Sequence, residues 1–129
     1  MNRYKKGADF EREVVAEFWN RGWGAIRSAG SGTVSHPVPD VIAARDGKIL
    51  AIECKTTRND RLSLKEAMLN LREFSQRAGC RAYLGIKFYR EKPRFYELEG
   101  LLKKRNYTVN SKDGFLTFDS LVGEQERLL

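Results

Sequence analysis

The stretch that decides the predicted fold is residues 40–55, which read DVIAARDGKILAIECK. Two apolar runs, 41–44 and 49–52, flank the dipeptide Asp46-Gly47. Asp-Gly between apolar runs favours a β-hairpin closed by a two-residue type I′ turn, because both turn residues must adopt positive φ. The sequence therefore predicts two antiparallel strands, the second of which continues to about Thr56.

The register of this hairpin brings charged residues together at its open end. A two-residue turn places Arg45 opposite Lys48, and the same pairing carried outward places Asp40 opposite Glu53. Opposed side chains share one face of the sheet, with Cβ atoms about 4.5–5.5 Å apart. Lys55 lies two residues beyond on that face, since side chains alternate along a strand. Two carboxylates and one ammonium group are thus expected to converge beside a polar loop.

This arrangement of charges favours a metal site. Carboxylates that face each other destabilise a sheet, so a hard divalent cation such as Mg²⁺ is a natural partner for Asp40 and Glu53. A metal held in this way activates phosphodiester hydrolysis. Lys55 would orient or deprotonate the attacking water, or neutralise charge on the phosphate. The alternative is that Asp40 only begins a strand, while Glu53 and Lys55 form a solvated ion pair.

A third carboxylate lies on the first predicted helix, residues 7–21. Its apolar positions recur with helical spacing at Phe10, Val14, Val15, Phe18 and Trp19. Glu11 lies at the edge of this stripe and faces inward or sideways. An inward glutamate is either paired with an arginine or part of a site. The neighbouring Arg12 and Glu13 are expected to point elsewhere.

The rest of the chain alternates predicted strands with one further long helix. Ser63 and Glu66 form a capping-box pattern for a helix that ends near Arg77, before Gly79. Strands are expected at about 23–27, 83–88 and 95–98, with short edge strands at 107–109 and 115–118 and a final helical turn. The order predicts one α/β domain over residues 1–129, with a central mixed β-sheet flanked by helices.

The composition narrows the class of partner. The 129 residues include 24 Lys and Arg against 17 Asp and Glu, a net charge of +7. This balance favours a polyanion such as nucleic acid, although a basic surface without such a partner is the alternative. With no long apolar run and no signal pattern, we expect a soluble cytoplasmic protein without membrane contact. One histidine, His36, and two cysteines are too few for a structural zinc site.

Other residues have two interpretations each. Candidate phosphate contacts near the predicted site are Lys5, Lys6, Arg58, Arg61 and Lys87, each of which is otherwise a solvated surface charge. Ser31 is either an ordinary loop serine or a site residue. His36 is expected on the surface of the same loop. The stripe around Phe74 is core or dimer interface, because both require an apolar face.

The residues described above resemble those of a known family. Pro39-Asp40, followed by Glu53-x-Lys55 on the next strand, resembles the PD-(D/E)xK nuclease superfamily, and more narrowly the archaeal-type Holliday junction resolvases. The similar segments are 6–8, 11–13, 27–31, 39–43, 52–55, 73–75 and 85–88. The resemblance covers about residues 3–98, and the last thirty or so residues match weakly. Ala78 stands where some relatives carry an aromatic residue at the subunit contact.

The resemblance implies an activity and an assembly. The expected fold is restriction-endonuclease-like, in a homodimer that cleaves four-way DNA junctions with one symmetric nick per subunit. Mg²⁺ is the implied cofactor, with Mn²⁺ able to substitute, and the implied location is the cytoplasm, in association with the nucleoid.

The resemblance also implies residue roles. The implied catalytic set is Glu11, Ser31, Asp40, Glu53 and Lys55. Asp40 and Glu53 would hold the metal with Glu11 beside them, Lys55 would serve the attacking water, and Ser31 would lie near the scissile phosphate. Arg12 and Arg27 would grip backbone phosphates.

Two rival functions stay open on the sequence. A repair or restriction-type nuclease of the same superfamily would act on another DNA target, although base-specific reading needs an insertion for which this chain has little room. A non-catalytic junction-binding module would keep the fold, yet carboxylates close to phosphate bring a pure binder no advantage.

Overall fold

The computed structural model describes residues 3–28 and 35–127, and it describes side chains over 7–28 and 35–126. The predicted role of Ser31 and the side chains of Lys5 and Lys6 lie outside these ranges. None of the helices in the described ranges is both long and apolar enough to span a bilayer.

Four helices and seven strands make up the described fold. In chain order they are α1 (Arg3–Asn20), β1 (Gly24–Arg27), β2 (Val41–Arg45), β3 (Lys48–Thr57), β4 (Arg61–Ser63), α2 (Lys65–Ala78), β5 (Arg81–Phe88), β6 (Arg94–Glu97), α3 (Leu98–Lys103), β7 (Thr108–Asn110) and α4 (Phe118–Arg127). The central sheet has the order β1-β2-β3-β5-β6, and β4 and β7 form a separate pair. Only β3 and β5 run parallel within the central sheet, so the predicted mixed sheet flanked by helices is confirmed.

The sheet buries an apolar cluster on each face. One cluster joins α1 and α4 to the sheet, and there the rings of Phe18 and Phe95 pack edge-on against Phe118, with centroids 5.2 Å and 4.6 Å apart. The other cluster joins α2 and α3 to the opposite face through residues such as Met68 and Leu101. Helices on both faces explain the continuous apolar runs 49–52 in β3 and 82–86 in β5.

The hairpin forms as the sequence predicts. Asp46 and Gly47 have φ values of 51° and 81°, the two positive values that a type I′ turn requires. The pairing runs from Arg45 opposite Lys48 out to Val41 opposite Ile52. The register that places Asp40 beside Glu53 is therefore confirmed as far as Val41, the first residue of β2.

The predicted helical stripe of α1 is wrong at one position. The Trp19 side chain is 61 % exposed and does not widen the buried face. Its indole Nε1 instead donates a hydrogen bond to the carbonyl oxygen of Ala25 at 3.0 Å. A surface hydrogen bond to β1 thus outweighs burial, because the indole N–H would need a partner inside the core.

The predicted capping box is also wrong. Ser63 is the last residue of β4 and pairs with Thr108 of β7, and no side chain caps α2 at Leu64. The Leu64 amide donates to the carbonyl oxygen of Tyr107 at 2.8 Å, so pairing with a distant strand replaces the local cap. The predicted stop is confirmed, since Gly79 ends α2 with a φ of 67°.

The C-terminal region differs most from the prediction. No strand forms over 115–118 within the described residues, where Leu116 makes only an isolated bridge to Phe95. Phe118 instead begins α4, and the Thr117 hydroxyl accepts a hydrogen bond from the Ser120 amide at 3.1 Å as an N-terminal cap. Leu98, predicted to end a strand, is the buried first residue of α3.

Candidate active site

A cleft of ≈ 1070 Å³ opens where β3 and β5 end, beside the first turns of α1. Such crevices outside the carboxyl ends of parallel strands are common binding sites. Its charged lining residues are four acids, Asp9, Glu11, Glu13 and Asp40, and four bases, Lys55, Arg58, Lys87 and Arg90. The cleft thus gathers acids and bases in equal number within a protein of net charge +7.

Asp40 is held in place by the backbone on both sides. Its side chain is 8 % exposed, and its Oδ2 accepts a hydrogen bond from the Cys54 amide at 2.8 Å. Its carbonyl oxygen accepts from the Ser28 amide at 2.8 Å. The Asp40 amide donates to Glu53 Oε1 at 3.2 Å. The carboxylate of Asp40 therefore replaces the next rung of the β2–β3 ladder, and the two acids lie side by side as predicted.

The Glu53 carboxyl carries the electrostatic cost of this arrangement. Burial, then the charge of Asp40, raise the pKa of Glu53 to about 8, while the charge of Lys55 lowers it. Glu53 is half-buried and accepts a hydrogen bond from the Asp40 amide, which favours a site over a solvated ion pair with Lys55. Two neighbouring carboxyls form a pair that a cation would stabilise.

Glu11 is both paired with an arginine and part of the cleft, the two alternatives that its position on the helix leaves open. Its Oε1 accepts a hydrogen bond from Arg27 Nε at 2.8 Å, and the same carboxylate lines the cleft. Burial, followed by the charge of Asp40, raises the pKa of Glu11, and Arg27 and Arg12 oppose that rise. Glu11 is thus electrostatically coupled to Asp40 while it is anchored by an arginine.

The donor set fits a divalent metal in part. Among the side chains that the structure describes, no three His, Cys, Asp or Glu groups are gathered closely enough to hold a metal on their own. Mg²⁺, however, is commonly bound by one or two carboxylates, with water and substrate phosphate as further ligands. Asp40 and Glu53 supply such a pair. Glu11 is held nearby by its bond to Arg27.

The predicted DNA contacts divide into two groups. Arg58 and Lys87 line the cleft, where the guanidinium carbon of Arg58 lies 4.0 Å from the centroid of the Tyr89 ring and Lys87 Nζ lies 2.9 Å from Glu13 Oε1. Arg61, in contrast, lies on β4 opposite Asn110 and is not among the residues that line the cleft.

The two arginines implied by the resemblance are both paired within the chain. Arg12 is exposed and lies 3.4 Å from Asp9, a weak surface pair. Arg27 is mostly buried and binds Glu11. Arg27 is therefore placed to position a site carboxylate, and Arg12 is the one that is open to solvent.

Sequence reasoning missed part of the cleft. Glu13 was expected to point away, yet it lines the cleft and binds Lys87. At 100° per residue, Glu11 and Glu13 flank opposite edges of the stripe through Phe10 and Val14, so both reach around the helix toward the sheet. Lys87, which interrupts the apolar run of β5, was the signal for its partner.

The chain is similar to known proteins along most of its length. Residues 2–128 match the family described as Archaeal holliday junction resolvase (hjc). The chain is 36% identical over 107 residues to the crossover junction endodeoxyribonuclease Hjc of Archaeoglobus fulgidus, covering 81% of this chain and 79% of that protein. It is 33% identical over 130 residues to the protein of the same name from Sulfolobus acidocaldarius, covering 95% and 90%.

A solved structure agrees with these sequence matches. Archaeoglobus fulgidus Hjc, described as a Holliday junction resolvase from an archaeal hyperthermophile, superposes with a TM-score of 0.80 at 31% identity, covering 90% of this chain and 98% of that one. Sequence and fold thus agree over nearly the whole chain. The chain belongs to the archaeal Holliday junction resolvase family.

Proposed function

We propose that this chain, as a single nuclease domain, is an endonuclease that resolves four-way DNA junctions at the site formed by Asp40, Glu53 and Lys55. The observation that carries the proposal is the pair of neighbouring acids, Asp40 and Glu53, in a basic protein. Asp40 lines the cleft together with Lys55. A pure DNA binder would not keep two carboxyls together at the cost of a strongly raised pKa. The name crossover junction endodeoxyribonuclease, which the relatives carry, supports the same activity.

Asp40 and Glu53 would hold Mg²⁺, or Mn²⁺ in its place, with Glu11 as a third carboxylate nearby. The metal would polarise a phosphate oxygen and lower the pKa of a water molecule that attacks phosphorus. The Cys54 amide keeps the Asp40 carboxylate in one orientation, because its hydrogen bond to Oδ2 removes the freedom of that side chain. The salt bridge to Arg27 does the same for Glu11.

Lys55 would act on the phosphate and on the water. Its ammonium group orients the attacking water and neutralises negative charge that builds on the phosphate oxygens in the transition state. Its charge also lowers the pKa of Glu53. Lys55 thereby favours the ionised form of Glu53 that binds a metal.

Basic residues around the cleft would hold the DNA backbone. Arg58 and Lys87 in the cleft lining and the exposed Arg12 would contact phosphates, and Lys5, Lys6 and Ser31 extend the same proposal to the neighbouring segments. Arg61 would contact DNA only farther from the cleft. Phosphate contacts fix position without reading sequence, which suits a substrate recognised by its shape.

A homodimer would place two such sites on one junction. Four-way junctions are two-fold symmetric, and two-fold dimers are the commonest assembly. The structure leaves an apolar face on the β1–β2–β3 side of the sheet, formed by Ile26, Ile42, Ala44 and Ile49. Ile26 is 67 % exposed and Ile49 is 42 % exposed. Paired sites would give symmetric nicks, and the enzyme would work in the cytoplasm on the DNA of the nucleoid.

The test is a cleavage assay with an end-labelled four-way junction and a linear duplex of matched sequence, with and without Mg²⁺. Wild type and Glu53→Gln are compared with Glu99→Gln, an exposed residue of α3 far from the cleft lining. Symmetric nicks in the junction that require both Mg²⁺ and Glu53 are the expected result. Preferred cutting of the duplex would favour a nuclease with another target, and binding without cutting would favour a junction-binding module.

A further inference from the structure

An exposed aromatic ring stands at the mouth of the cleft. Tyr89 follows the last residue of β5 and is 48 % exposed, although large apolar side chains usually gain from burial. Its amide donates a hydrogen bond to the carbonyl oxygen of Thr57 at 2.9 Å. The backbone that carries the ring is therefore hydrogen-bonded to the end of β3, the strand that carries Lys55.

Two arginines lie against this ring. The guanidinium carbon of Arg58 is 4.0 Å from the ring centroid, and that of Arg90 is 5.1 Å from it. Arg90 is held there by a turn with a φ of 62°, a conformation that costs energy in a residue with a side chain. Neither arginine forms a salt bridge with a described carboxylate. Their charge thus stays available at the cleft, in contrast to that of Arg27 or Lys87.

The distance to the reacting centre is short. Thr57 lies two residues beyond Lys55, about 7 Å along the strand at about 3.3 Å per residue. Neighbouring nucleotides of a B-form strand are about 3.4 Å apart along the axis. Tyr89 therefore stands a few nucleotides from a phosphate held at Asp40 and Lys55.

We propose that Tyr89, flanked by Arg58 and Arg90, is a stacking platform for a base at the branch point of the junction, a few nucleotides from the cut. The proposal rests on the proposed function and adds a residue that separates junctions from duplexes. Aromatic rings and guanidinium planes stack on any base, so the contact needs no sequence preference. At a branch point a base leaves its stack at lower cost than inside a continuous duplex.

The first test measures binding with cleavage switched off. In a Glu53→Gln background, Tyr89→Leu should weaken junction binding about 5- to 150-fold, the range of a lost base–aromatic contact. Binding of a linear duplex should change less than about twofold. Tyr89→Phe keeps the ring and should bind the junction like the parent, which separates a stacking role from a role of the hydroxyl. Circular dichroism and the melting temperature of each variant verify that it folds.

The second test uses the fluorescent base analogue 2-aminopurine at each branch-point position in turn. Stacking on Tyr89 should change its emission with the parent and with Tyr89→Phe, and Tyr89→Leu should abolish that change. Salt titrations distinguish the neighbouring cation, because Arg58→Gln should lower the slope of log affinity against log salt by about one, while Tyr89→Leu leaves it unchanged. Equal affinity and equal emission for Tyr89→Leu and the parent would overturn the platform.

The two proposals fail separately. Cutting that depends on Glu53 together with a neutral Tyr89→Leu would remove the platform and keep the nuclease. Junction binding that depends on Tyr89, without any cutting by wild type, would keep the platform and remove the nuclease.

Discussion

Glu53 gives the metal-free protein a measurable pH dependence of stability. Burial beside Asp40 raises the pKa of Glu53 to about 8 in the folded chain, from its ordinary value of 4.5, so between these values the folded state holds a proton that the unfolded state has lost. Stability therefore falls as pH rises through this window. In EDTA, we expect the free energy of unfolding, measured with urea, to fall by an amount on the order of a few kcal/mol between about pH 5 and pH 8.

The control for this prediction is a pair of isosteric variants. Glu53→Gln should flatten the pH profile and make the protein more stable than wild type at pH 8, because the buried like charges are gone. Glu99→Gln, in an exposed position, should follow the wild-type profile. A Glu53→Gln profile as steep as that of wild type would show that burial beside Asp40 does not set the dependence.

Lys55 is expected to matter for turnover far more than for affinity. Lys55→Met keeps the length of the side chain and removes its charge, so we expect single-turnover cleavage to fall by about 10²–10⁴-fold. Junction binding should change only a fewfold, since one phosphate contact is lost at most. Lys48→Met, at the opposite end of the same strand, should cut at the wild-type rate. An equal loss of cleavage rate in Lys48→Met would mean that the loss reflects the lower net charge of the protein and not the position of Lys55.

At the residue scale, the sequence predicts which side chains one hairpin brings together. Asp40 directly precedes β2, and Glu53 and Lys55 lie on β3. The register of these two strands follows from a two-residue turn, so local rules are sufficient to bring the three residues together. Glu13 and Lys87 lie 74 positions apart, and their salt bridge depends on how α1 crosses the sheet. Local rules do not determine that crossing.

At the scale of the elements, β5 is closely packed at Gly85. A Cβ there would lie 3.0 Å from Phe95 Cε1 and 3.3 Å from Ile52 Cγ2, and both side chains are fully buried. Gly85→Ala should therefore lower the free energy of unfolding by about 1–3 kcal/mol through overpacking, as measured in urea. Gly100→Ala is the matched control in α3, where nothing lies within 4 Å.

The expected effect of the control has the opposite sign. Alanine in a helix interior is favoured over glycine by about 0.5–1 kcal/mol, so Gly100→Ala should be neutral or stabilising. Equal losses in both variants would mean that contact with Phe95 and Ile52 does not decide the outcome at Gly85.

Elements were predictable where their signal is local. The Asp46-Gly47 turn and the Gly79 stop are set by backbone conformations that few other residues adopt, and both form as predicted. Ser63 carried an equally clear capping pattern, but β7 pairs with it from 45 positions away along the chain, as its partner Thr108 shows. Where a long-range strand pair competes with a local cap, the local rule alone gives the wrong element.

At the scale of the whole molecule, the apolar face of Ile26, Ile42, Ala44 and Ile49 predicts the position of a dimer interface. The opposite face of the same strands is buried under α1, so the exposed isoleucines are not explained by the core of one chain. Ile26→Lys combined with Ile49→Lys should convert a dimer to a monomer in light scattering, because charge is excluded from the centre of such interfaces. Phe115→Lys, at another exposed apolar position, should stay dimeric.

The monomeric variant should also change the course of cleavage. Each active site would remain intact, so the first nick in a junction should still form, while the second would wait for another encounter. Singly nicked junctions should therefore accumulate with Ile26→Lys and Ile49→Lys at protein concentrations where wild type releases only paired cuts. If this variant stays dimeric, the interface lies on another surface. The side of α2 that carries the half-buried Phe74 would then be the next to test.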